Sequence, residues 1–247
     1  SYIGEHKDLE DENQTVTFPK IRTSAHQAEE AENREFFAGP VSIVDTVTYK
    51  NLVPGTEYTL IGTLKDKVTK SDATDGNGET ITSQTIFTPA TADGTVDLVF
   101  TFDATVLEGK TLVAFEELYS ATGIIAQHKD IDDTEQAVTI PKIRTTLLSG
   151  EENHVALADN EITLTDTISY SNLVPGREYT ATGTLVEKLT GNAVLDGNDE
   201  PVTVQTAFTP ESADGTVEVT FVFNSNLCGG KAIVAFETVE SGYGVVA

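Results

Sequence analysis

The sequence predicts an all-β chain made of two tandem immunoglobulin-like β-sandwich domains, and three observations carry that reading. First, the sequence repeats itself. "DTVTYKNLVPGTEYTLIGTL" from Asp45 returns as "DTISYSNLVPGREYTATGTL" from Asp166, and "FTPATADGTV" from Phe87 returns as "FTPESADGTV" from Phe208. "LVAFE", ending at Glu116, returns as "IVAFE", ending at Glu237, and each of these pairs is 121 residues apart. Second, "TVDLVFTF" and "TVEVTFVF" alternate apolar with polar positions, the period of a half-buried strand. Third, Pro54-Gly55, Asp75-Gly76, Asp93-Gly94 and Asp196-Gly197 punctuate the runs with turn chemistry. Many short strands with regular turns, in units of about one hundred residues, indicate sandwiches.

In chain order, the first element is a phrase out of place. "HKDLEDENQTVTFPKIRT" from His6 is nearly identical to "HKDIDDTEQAVTIPKIRT" from His128. In the complete repeat this phrase follows VAFE, whereas the second repeat runs to Ala247 without it. Residues 1–18 are therefore expected to be a displaced final strand, 19–141 a complete domain, and 142–247 a domain lacking its final strand. Between the strands, "SAHQAEEAENREFF" from Ser24 reads as either a short surface helix or a charged loop.

Charge narrows the partners. Fifteen basic residues against 40 acidic ones leave a net charge of -25, which argues against nucleic acid and against anionic membrane surfaces. No 18-residue apolar run is present, so no membrane insertion is expected of this stretch, and no secretory leader is recognisable in it. Cys228 is the only cysteine, which excludes an intramolecular disulfide and leaves a zinc site without partner ligands. "DATDGNGE" from Asp72 has an oxygen-rich look but reads better as a hairpin turn than as a calcium loop. The cluster of His128, Asp130, Asp132 and Asp133 reads as a solvated acidic loop rather than a metal site. No cofactor and no metal are expected.

The repeated phrase carries the chemistry. A carboxylate stands five residues after the histidine and a glutamine eight after it: His128, Asp133 and Gln136, and likewise His6, Asp11 and Gln14. Positions three apart on a strand face opposite ways, so "HKDIDD" is placed in a loop entering the strand "QAVTI". Alone, this would be a polar connector copied by duplication.

The ordered set "PKIRT", "DTVTY", "NLVPG", "VAFE" and "HKDIDDTEQ" resembles the VaFE repeat, the ester-bond domain of Gram-positive bacterial surface adhesins, over essentially the whole chain. The resemblance implies a threonine on the first strand joined to a glutamine on the last by a self-made side-chain ester, with ammonia released. A histidine and two carboxylates assist. Carried onto this sequence, Gln136 is the cross-linking glutamine, His128 the histidine, and Glu116 and Asp133 the carboxylates. Thr23, in "PKIRT", is the favoured threonine because a bond between terminal strands closes the largest loop. Thr46, which recurs as Thr167, is its rival. A second, split site would combine Thr145 and Glu237 with Gln14, His6 and Asp11 of the displaced strand.

The implied chemistry is physically coherent. A threonine hydroxyl needs a base, and imidazole suits that task near neutral pH. Two crowded carboxylates share a proton, which keeps an acid available to polarise the amide carbonyl. The resemblance further implies a cell-wall-anchored, extracellular stalk module that reacts once, without turnover, and so is no enzyme. Its partners would be neighbouring repeats, with head-to-tail self-association through the displaced strand. The alternatives are a ligand-binding sandwich without a cross-link and a hydrolase using the same histidine and carboxylates.

Overall fold

Alternation along each strand sorts its residues onto two faces, and the apolar faces of two sheets close over each other in each repeat. The computed structural model describes residues 7–28, 30, 32–150 and 153–247. In the first repeat, β1 (Lys20–Gln27), β2 (Pro40–Lys50) and β5 (Gly94–Asp103) form one antiparallel sheet in the order β1-β2-β5. The facing sheet runs β4 (Thr82–Phe87), β3 (Tyr58–Asp66), β6 (Thr111–Ser120) and β7 (Gly123–His128), with β8 (Ala137–Thr139) also on β6. Along β5, Leu98 and Phe100 point into the core while Asp97, Val99 and Thr101 point out. Burying each such large apolar side chain contributes about 1.5–3 kcal/mol.

The second repeat has the same plan. One sheet holds β9 (Lys142–Leu148), β10 (Ile162–Ser171) and β13 (Gly215–Phe223), in the order β13-β10-β9. The other runs β12 (Thr203–Phe208), β11 (Tyr179–Glu187), β14 (Ile233–Ser241) and β15 (Gly244–Val245). Ile168, Leu185, Val219, Phe221 and Val239 make its core.

One expectation needs correction. Ser24–Gln27 form no helix. They complete β1, with Ser24 opposite Thr46 and Gln27 opposite Ile43, because the ladder on β2 continues to satisfy their backbone groups. The expected displaced strand falls partly outside the described residues, and residues 7–18 hold a 3-10 turn at Glu12–Gln14. His6 lies outside the described residues.

Close sheet packing depends on a glycine that both repeats keep. Gly62, on β3 opposite Glu116, would bring an added Cβ to 2.6 Å from the Phe100 ring and 2.9 Å from Leu98. Gly183 faces Phe221 in the same way, at 2.7 Å. Gly62→Ala is expected to overpack the core and cost about 1–3 kcal/mol, read as a lower urea midpoint at unchanged slope.

Candidate cross-linking site

Four side chains from four elements meet inside the first sandwich. Thr23 takes an inward position on β1, between Ile21 and Ala25. Glu116 takes an inward position on β6, and strand register sets it directly opposite His128 at the end of β7. Gln136 arrives by an interruption. β7 and β8 pair with β6 in turn, so the chain between them leaves the sheet and returns through a 3-10 turn at Thr134–Gln136. The turn ends by placing Gln136, fully buried, against β1.

The Gln136 amide nitrogen donates to the Thr23 hydroxyl and, at 2.7 Å, to Glu116 Oε2. The Thr23 hydroxyl donates to the same Glu116 oxygen at 3.3 Å, and His128 Nδ1 stands 3.5 Å from Thr23 Oγ1. Hydroxyl, imidazole and amide are thus within reach of one another across 113 residues of chain. Thr46 is not part of this group. Its hydroxyl donates to Asp97 at 2.8 Å and lies 3.4 Å from His26 Nε2.

The second carboxylate is not Asp133. As the cap of the 3-10 turn, Asp133 accepts the Glu135 N–H at 2.9 Å, and its other oxygen lies 3.4 Å from His128 Nε2. There it orients the imidazole, leaving Nδ1 toward Thr23. Glu116 is instead partnered by Asp45, a fully buried residue on β2 that the sequence reasoning passed over. Neither Asp45 oxygen, nor Glu116 Oε1, has a hydrogen-bond partner. Burial first, and then the Asp45 charge, pushes the Glu116 carboxyl up to about 10. Burial also raises Asp45, to about 6, although Glu116 and Thr23 pull it part-way back. At neutral pH the pair therefore holds one proton between its two carboxyl groups. Glu116 Oε2 meets the amide nitrogen of Gln136, while the carbonyl oxygen, expected to receive an acid's hydrogen bond, is left without a partner.

Residues 19–140 and 141–246 each match the family described as the T-Q ester bond containing domain. The chain belongs to this family. No curated protein sequence matches it. Among solved structures, an adhesin from Mobiluncus mulieris, described as containing intramolecular disulfide, isopeptide and ester bond cross-links, aligns over 90% of this chain and 81% of its own at 16% identity, with a TM-score of 0.42. A second crystal form aligns over 92% and 81% at 14% identity, with a TM-score of 0.40. Red sea bream transglutaminase aligns over 93% of this chain and 30% of its own at 14% identity, with a TM-score of 0.29.

Part of this arrangement recurs in the second T-Q ester bond domain. Thr145, Asp166 and Glu237 occupy on β9, β10 and β14 the places of Thr23, Asp45 and Glu116. Burial first, and then Asp166, raises the Glu237 carboxyl to about 8. Thr145 is exposed and borders a groove of about 940 Å³, lined also by Leu147, Leu164, Cys228, Ile233 and Ala235. The residues expected to fill it do not reach it: Gln14 is exposed, and Asp11 belongs to its own turn.

Proposed function

We propose that this chain is part of the stalk of a bacterial surface adhesin, whose T-Q ester bond domains lock themselves shut by Thr–Gln side-chain esters. The observation that carries this is the buried contact of Thr23 with Gln136 beside Glu116 and His128. His128 takes the Thr23 proton as Oγ1 attacks the Gln136 amide carbon. The C–N bond then breaks, and the proton passes to the departing nitrogen. Hydroxyl and amide become ester and ammonia, with no water consumed. The shared proton on Asp45 and Glu116 keeps one negative charge, not two, beside the developing oxyanion. The sandwich supplies proximity, and each site reacts once, so this is self-modification rather than enzymatic turnover.

The N-terminal phrase is the strand that completes a domain of the second kind, reached most easily in a neighbouring molecule. Its Val16 and Phe18 are 77% and 79% exposed, whereas the matching Val138 and Ile140 are core residues at 0% and 1%. Its fold is preset. Asp8 accepts the Glu10 N–H and Asp11 the Asn13 N–H, as Asp130 and Asp133 do for Asp132 and Glu135.

The intact mass of the denatured chain tests both parts. The chain is expected to be lighter than its sequence by one ammonia, and Gln136→Ala to carry its full mass. A second loss that depends on Gln14, with covalent multimers on a denaturing gel, is expected as the concentration rises. A mass equal to the unmodified sequence would remove the cross-link.

A further inference from the structure

Among the described residues, a buried carboxylate of the first repeat reaches into the second. Glu35 lies in the first repeat, between β1 and β2, and its side chain is fully buried. Every hydrogen bond that its carboxylate makes is to the second repeat. Arg177 pairs with Oε2, the Tyr179 hydroxyl donates to Oε1 at 2.5 Å, and the Val174 N–H donates to Oε1 at 3.3 Å. Arg177 also donates to Asn33 at 3.3 Å and lies over the Tyr243 ring at 4.9 Å. A carboxylate so far from water is stable only when paired and hydrogen-bonded.

Glu35 is mounted on the two strands that the ester would join. Arg34 donates to Ala25 O at 3.0 Å and Ser24 Oγ at 3.2 Å on β1, and pairs with Glu135 at 2.8 Å beside Gln136. On β8, the Phe36 N–H reaches Thr139 O at 2.9 Å, and the Thr139 N–H reaches Arg34 O at 2.7 Å.

The pairing is written into this junction and not into the repeat. Both repeats build the same corner, with the Val53 N–H on Tyr58 Oη at 3.0 Å and the Val174 N–H on Tyr179 Oη at 2.9 Å. The first repeat has Thr56 where the second has Arg177, however, and at the spacing of the repeats Glu35 corresponds to Ala156 or Leu157, neither of them acidic.

We infer that Asn33 and Glu35 form an interdomain latch with Val174, Arg177 and Tyr179, holding the second repeat at a fixed angle on the cross-linked end of the first. Its partner is a following repeat with a basic residue after the NLVPG corner, so the latch also selects which repeat succeeds which.

The test uses the full chain, with hydrogen exchange at the Val174 amide and NMR relaxation of both domains. The wild type is expected to tumble as one body, with Val174 more protected than Val53. Arg177→Thr installs the residue that the first repeat tolerates at this corner. It is expected to raise Val174 exchange about tenfold and to separate the two tumbling times. Glu35→Gln is expected to do the same, and the double variant no more, since all three break one contact. Loss of one ammonia in every variant reports that the first domain still folds. If Glu35→Gln disturbs that loss, Arg177→Thr alone decides. Independent tumbling of the wild type, unchanged exchange in Arg177→Thr, or additive effects would overturn the latch.

Discussion

Gln136→Ala is expected to lower the melting temperature of the first domain by roughly 20 °C. Thr23 and Gln136 are 113 residues apart, so the proposed ester would close nearly the whole domain into a ring. In the chain-entropy account a cross-link over such a loop contributes about 5 kcal/mol, by restricting the unfolded state. For a domain of this size each kcal/mol moves the midpoint by about 4 °C. Thr23→Ala, which removes the nucleophile and leaves the buried amide, is expected to fall about as far. Differential scanning calorimetry reads both, with the second domain's transition as internal reference. A fall of only a degree or two in both variants would mean that the bond is absent or idle. Under pulling load the effect is kinetic: with terminal strands joined, separating them requires breaking a covalent bond.

How much of this was legible in the sequence follows from what each feature depends on. The domain repeat and the strand faces were legible because both are local: alternation along "TVDLVFTF" is the same pattern that puts Leu98 and Phe100 in the core. Thr23, Glu116, His128 and Gln136 were legible only through the resemblance, since their meeting depends on strand register and on the break between β7 and β8. Asp45 was missed although a signal existed. Along β2 the inward positions read Val41, Ile43, Asp45, Val47, Tyr49, and a carboxylate in that series has no place in an ordinary core. The same break recurs on β10, where Asp166 stands between Leu164 and Ile168. Asp133 drew attention through its regular spacing from histidine and glutamine, but spacing could not show that its carboxylate caps a turn. Glu35 carried no signal at all, because its partners lie some 140 residues away in another domain.

Ester formation during refolding is expected to be fastest between about pH 6 and about pH 10, the interval in which Asp45 and Glu116 hold one proton. Below it Asp45 takes up the second proton, and the pair loses the one negative charge that strengthens its oxygens as acceptors beside the Thr23 hydroxyl and the Gln136 amide. Above it the last proton leaves, and two buried negative charges oppose the oxyanion. Both groups bind protons more tightly folded than unfolded, so the unreacted domain also loses stability as pH rises from the ordinary carboxylate range through 6 and then 10. Unreacted chain kept in denaturant, where the site is not assembled, can be diluted into buffers of different pH and its mass followed with time. Asp45→Asn removes the charge that, after burial, does most to hold the proton on Glu116. The variant is expected to react about a hundredfold more slowly, in the range lost with one acid–base partner. Its alkaline limb is expected to move to lower pH, because Glu116 gives up its proton more readily without a charged neighbour. An alkaline limb unmoved in Asp45→Asn would mean that burial alone holds the proton and that Asp45 serves packing, not the reaction.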